Sequence, residues 1–183
     1  MMQEKKCLSV QCDPPSECMF KVHEPVVHPA HGVGIVREIK KQFILGREVS
    51  YFYIDFPNND LDRVMIPVDK ARELGLRRVV NDKTIEEMLA IIRDRDGTYL
   101  DSLEDESFHK RHREYLERVQ SGNILEVAKV FKTLHERSKA KDLGLKEKFL
   151  MERAQKMILG ELKYAKDITY EKAQALIEKV TSG

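Results

Sequence analysis

The chain of 183 residues contains no tryptophan, and its three cysteines, Cys7, Cys12 and Cys18, all fall within the first eighteen residues. An odd number of cysteines, none in the body of the chain, argues against a disulfide framework. Their spacing lacks the close CxxC pairing of structural zinc, which leaves a zinc site built with nearby histidines as a minor reading. No apolar run approaches the roughly 18 residues needed to cross a bilayer. The N-terminus also lacks the apolar stretch of a signal peptide. Charge of one sign is missing as well: 32 Lys and Arg stand against 31 Asp and Glu, a formal net charge of +1. That balance excludes a uniformly basic nucleic-acid-binding domain, so any such contact has to come from a local patch. The expectation is a cytoplasmic protein with no membrane contact.

What is present is a change of pattern along the chain. Residues 1–18, "MMQEKKCLSVQCDPPSEC", show no apolar period and contain Pro14-Pro15, as in a disordered extension. Regular patterning begins at Met19-Phe20, so Met19 is an alternative start. From there to about Val68, short β-rich runs appear as "VGIVREI", "EVSYFYIDF" and "DRVMIPV". Turn residues separate them at Pro29 to Gly34, Leu45 to Arg47 and Pro57 to Asp60. In the second run Tyr51 and Tyr53 share one face and Phe52, Ile54 and Phe56 the other, which fits a strand in a small bent sheet.

From residue 81 the apolar period becomes helical. Thr84 and Glu87 read as a capping box ahead of Ile85, Met88, Leu89 and Ile92. Asp96-Gly97 ends that helix and an acidic linker, "DSLEDES", follows. A second helix over about 107–120 ends at Gly122, and a third opens with Asn123 and Glu126. A fourth over about 146–165 turns Phe149, Leu150, Ala154, Met157, Ile158 and Leu162 inward, and a fifth covers about 170–180. The predicted class is α+β: a small SH3/Tudor-like β-barrel over 19–80, then a compact bundle of about five helices over 81–183.

Chemical motifs are few. His28 and His31 lie within the stretch "VVHPAHGVGIV" and His23 just before it, but Pro29 disfavours a helix there and no ligand set is forced together. Gly32-Val33-Gly34 runs on into a strand without a Walker lysine or a third glycine, so a turn is the better reading than a phosphate loop. No nucleophile arrangement stands out, and neither an enzyme nor a cofactor is expected. The segment "SFHKRHREYLERVQSG" is more informative. Lys110, Arg111 and Arg113 cluster in its first two turns beside His109 and His112. A solvated face with i,i+4 pairs accounts for them, and so does a local cationic patch. Phe108 lines up with His112, Tyr115 and Val119 as a core residue would, yet it also heads the helix among cations, where an aromatic wedge against nucleic acid would sit.

The stretches "MFKVHEPVVHPAHGVGIV", "VMIPV", "GLRRVV", "RHREYLERVQSGN" with "EVAKV", and "EKFLMERAQKMILGELKYAKD" resemble the CarD/CdnL family of bacterial transcription regulators. The resemblance runs in order from Met19 to about Val180. It implies a Tudor-like module that docks on the RNA polymerase β subunit by strand addition, as in the transcription-repair coupling factor. It further implies a helical module that contacts promoter DNA at the upstream edge of the melted region and steadies the open complex. Carried over by position, the polymerase-binding residues are Gln42, Ile44, Arg47, Arg63 and Met65, with Gln42 and Met65 standing where arginine is usual. The DNA-binding residues are Phe108, in place of the usual tryptophan, and Lys110, Arg111, Arg113 and Lys148. His23 stands for a usual glycine and His28 for a usual tyrosine. A monomer is expected, and because the cationic patch is small its affinity for free promoter DNA should be low. The rival readings are an adaptor of polymerase without direct DNA contact and the zinc-binding protein above.

Overall fold

The computed structural model describes residues 19–44, 46–57, 63–94 and 107–182. The cysteines, the Asp96-Gly97 stop and most of the acidic linker lie outside the described residues. Five strands come first: β1 Pro25–His28, β2 Gly32–Ile44, β3 Arg47–Asp55, β4 Val64–Pro67 and β5 Arg77–Arg78. Five helices follow: α1 Asp82–Arg93, α2 Phe108–Gln120, α3 Ile124–Ala140, α4 Leu145–Ala165 and α5 Tyr170–Ser182. The α+β class is as expected.

The strands form one antiparallel sheet in the order β4-β3-β2-β1-β5. β4 and β5 are its two edges and do not pair with each other, so the expected barrel is an open, curved sheet. The reason is length: the edge strands hold four and two residues, too few to close the ring. A bulge between Val36 and Glu38 bends β2 where it crosses β3. On the inner face Val26, Val36, Phe52, Ile54 and Ile66 pack with Phe20, Phe56, Ala71 and Leu76.

The helix starts follow cap chemistry. α1 begins earlier than the Thr84–Glu87 box predicts, because Asn81 Oδ1 accepts the Thr84 amide at 3.0 Å and takes the N-cap role itself. Ser107 caps α2, and Asn123 Oδ1 caps α3 by accepting from the Leu125 amide at 3.0 Å. Glu126 completes no box; it pairs with Arg118 at 2.5 Å and Lys129 at 2.6 Å. Tyr115, Val119, Ile124, Leu134, Met157, Ile158 and Leu162 are among the side chains of a second core. Phe149 is not: it is 61% exposed, a correction to the inward face expected of α4.

The sheet and the bundle meet at "VVHPAHGVGIV". Gly160 of α4 lies against β2 so closely that a Cβ there would come within 3.0 Å of Val33 Cγ2. Gly122, with φ +73°, ends α2 and lies beside the Pro29 ring. Across the same seam Arg77 of β5 reaches the fully buried Glu161 of α4. It donates to the two carboxylate oxygens at 2.6 and 2.9 Å, and to the Gly122 carbonyl at 2.6 and 2.9 Å. Glu161 also accepts from the Val80 amide at 3.3 Å. A buried carboxylate with this many donors fixes the geometry of the seam, because leaving either partner alone would strand a buried charge.

Candidate interaction surfaces

Strand alternation places the outward side chains of β2, β3 and β4 on one face. The register pairs Gln42 with Val49, Ile44 with Arg47, Tyr53 with Met65 and Glu38 with Tyr53. Directly paired residues point to the same side of an antiparallel sheet. Gln42, Ile44, Arg47 and Met65, predicted from sequence, therefore share the outer face. Arg63 joins them: its guanidinium donates to Asp55 Oδ1 at 2.9 Å and to Glu38 Oε1 at 3.3 Å. Those bonds from Arg63, then that from Arg37 at 2.7 Å, hold the Asp55 carboxyl below the usual carboxylate range against the opposing effect of partial burial. The Gln42 amide donates to the Tyr53 hydroxyl, and Lys40 lies 5.5 Å over the Tyr53 ring.

The face thus combines bound polar groups with two exposed apolar side chains, Met65 and, at the hairpin end, Ile44. Met65, on edge strand β4, is 53% exposed. A methionine there is adaptable and costs little to dehydrate, whereas the neighbouring charges are already committed to one another. Phe43, 78% exposed on the opposite side of the same hairpin end, was not anticipated from sequence. Its signal was available: it sits between Gln42 and Ile44 at the tip, beyond the core that β2 and β3 share.

On the helical side, Phe108 is 37% exposed at the start of α2. Its ring stacks on His112 at 5.9 Å and 10°, and meets His109 edge-on at 5.7 Å. Lys110, Arg113 and Lys148 are exposed, Arg113 with Glu117 at 4.0 Å. Arg111 is different, and the expectation of a phosphate contact from it is corrected here. It is 7% exposed and its Nε lies 3.7 Å from Glu147 Oε1. Arg137 of α3 approaches the same oxygen at 3.9 Å, while Glu147 Oε2 accepts the Gly144 amide at 3.3 Å. Buried beneath two guanidiniums, Glu147 ties the first turns of α2 and α4 together. Arg111 thereby positions the turn that carries Phe108 and Lys110.

The histidines of "VVHPAHGVGIV" pack against each other and the sheet core. His28 and His31 stack at 4.7 Å and lie against Phe56, and among the described residues no group of three metal-ligating side chains occurs. Burial first, and then the neighbouring His31, push His28 down to about 4. His31 is lowered by burial and then by Arg153. His23, where the resembled family has glycine, holds a left-handed φ of +69°. No helix among the described residues is long and apolar enough to cross a membrane.

The molecule thus joins an edge-open sheet with a polar outer face to a helical bundle with an aromatic-cationic helix start. A family model described as the CarD-like/TRCF RID domain matches residues 20–80, and one described as the CarD C-terminal domain matches residues 87–178. The chain belongs to the CarD family of transcription factors, whose RID domains are RNA polymerase-interacting. It is similar to a protein of Bacillus subtilis (strain 168) named "Putative transcription factor YdeB", with 26% identity over 151 residues that cover 82% of this chain and 95% of that one.

Proposed function

We propose that this protein tethers to the RNA polymerase β subunit through its sheet module, residues 19–80, and steadies melted promoter DNA through its helical module, residues 81–183. β4, an edge strand whose second side is open among the described residues, supplies main-chain groups for strand addition. Met65 lies on that edge strand with Arg63 just before it, while Gln42, Ile44 and Arg47 extend the same outer face along β2 and β3 toward the hairpin end. Phe108 acts as the apolar wedge at an opened base step, and Lys110, Arg113 and Lys148 contact phosphates. Arg111 serves by holding the helix start in place.

The single observation that carries this reading is Phe108. A core phenylalanine would be buried, yet this ring stands 37% exposed at a capped helix start among exposed cations. An adaptor that keeps Phe108 in its core gains no support from that placement. Phenylalanine lacks the indole N–H of the usual tryptophan and so forgoes one hydrogen bond to a base or sugar. Losing such a bond costs on the order of 1 kcal/mol, or about fivefold in complex lifetime. Open-complex lifetime is therefore expected to shorten with Phe108→Ala and to lengthen about fivefold with Phe108→Trp. Equal lifetimes for all three proteins would dismiss the wedge. Because the cationic patch is small, affinity for naked duplex is expected to be weak and steeply salt-dependent, with polymerase tethering supplying the effective concentration.

A further inference from the structure

A cavity of about 250 Å³ opens between the β1–β2 turn and the solvent side of α4, lined by Ala30, His31, Gly32, Phe149, Arg153 and Lys156 among others. None of the polymerase- or DNA-facing residues above lies in it. The Arg153 guanidinium is anchored by one bond, from Nη2 to the Pro29 carbonyl at 3.2 Å. Its Nε–H is buried and finds no acceptor among the described residues. A buried, unsatisfied guanidinium donor is uncommon in a native fold, and an absent anion is a standard reason for one. Lys156, one turn along on the same side of α4, is exposed and forms no ion pair among the described residues. Phe149, one turn before Arg153, presents an exposed flat face at the mouth.

Two cations, a buried orphan donor and an aromatic platform suit one ligand chemistry. We propose that this cavity binds a phosphate carrying an adjoining sugar or base, with Arg153 and Lys156 on the phosphate oxygens and Phe149 against the flat group. His31 faces the same space as a third donor. Around it stand His28, stacked at 4.7 Å, Phe56 from the sheet, and Arg153, Lys156 and Glu152 from α4. Burial, and then the nearby Arg153, lower the His31 pKa. A bound anion between the two offsets that repulsion and favours the imidazolium. Glu152, the one carboxylate of the lining, opposes binding.

The two sources of this chemistry are the backbone of DNA and a free small phosphate. The test follows the His31 imidazole and Arg153 Nε–H resonances of the full chain during titration with inorganic pyrophosphate. Saturable shifts of both resonances are expected. Lys156→Gln, an exposed substitution that leaves the core intact, is expected to weaken binding about fivefold, and Glu152→Gln to strengthen it about twofold. A short DNA duplex that displaces pyrophosphate identifies the backbone as the source; a duplex that leaves it bound identifies a free phosphate compound. The absence of saturable shifts, or an affinity unchanged in both Lys156→Gln and Arg153→Gln, overturns the site. Neither result bears on the Phe108 wedge, which is read from open-complex lifetime.

Discussion

The sheet and the bundle present their candidate contact residues in different ways. On the sheet, Gln42, Ile44, Arg47 and Met65 lie on one face because alternation along a strand is strict and the register between β2, β3 and β4 carries it from strand to strand. On the bundle, four cations close together in sequence or carried by adjacent helix starts divide: Lys110, Arg113 and Lys148 face solvent while Arg111 turns under Glu147 and Arg137. A strand's two faces are decided locally. The faces of a helix are decided by what packs against it, and here the decision is made by a carboxylate 36 positions away.

The seam between the two regions should respond most strongly to change. Glu161→Ala strands the Arg77 guanidinium and the Val80 amide, and is expected to cost about 3 kcal/mol or more in urea unfolding. If the loss is instead below about 1 kcal/mol, Arg77 does not hold the modules together. Next in size is the contrast within α2. Arg111→Ala is expected to cost about 2 kcal/mol, while Lys110→Ala stays within about 0.5 kcal/mol. Equal effects would erase the distinction drawn between a positioning arginine and a solvent-facing lysine.

The smallest effect expected is a pH dependence centred on the sheet. His28 and His31 have folded-state values below the ordinary histidine value, as does His135 in the bundle through burial and then Lys139. The unfolded chain therefore binds more protons than the folded one below about pH 6.5. Stability is fully present above that pH and is lost as pH falls toward the His28 value of about 4. Melting temperature should decline over this window in the parent protein and less steeply in His28→Gln. Parallel curves for the two would mean that His28 carries no such linkage.

Much of the architecture was legible before any coordinates. Tyr51 and Tyr53 against Phe52, Ile54 and Phe56 specify the two faces of β3, and Gly122 and Asn123 mark where α2 ends and α3 begins. Closure of the sheet was not legible, since it depends on edge strands only four and two residues long. Glu147 and Glu161 are not set apart from the other helix carboxylates by anything in the sequence pattern. They are buried because arginines from distant segments meet them, Arg77 from 84 positions away. Phe149 carried a usable signal that apolar periodicity alone obscured: its neighbours one turn on are Glu152 and Arg153, which belong to the charged side of α4.

The most direct measurement is binding of the full chain to the isolated lobe of the polymerase β subunit, compared between the parent protein, Met65→Glu and Phe108→Ala. Docking through the sheet edge predicts saturable binding by the parent, at least about tenfold weaker binding by Met65→Glu, and no change in Phe108→Ala. A parent protein that fails to bind, or a Met65→Glu variant that binds as tightly as the parent, would contradict it.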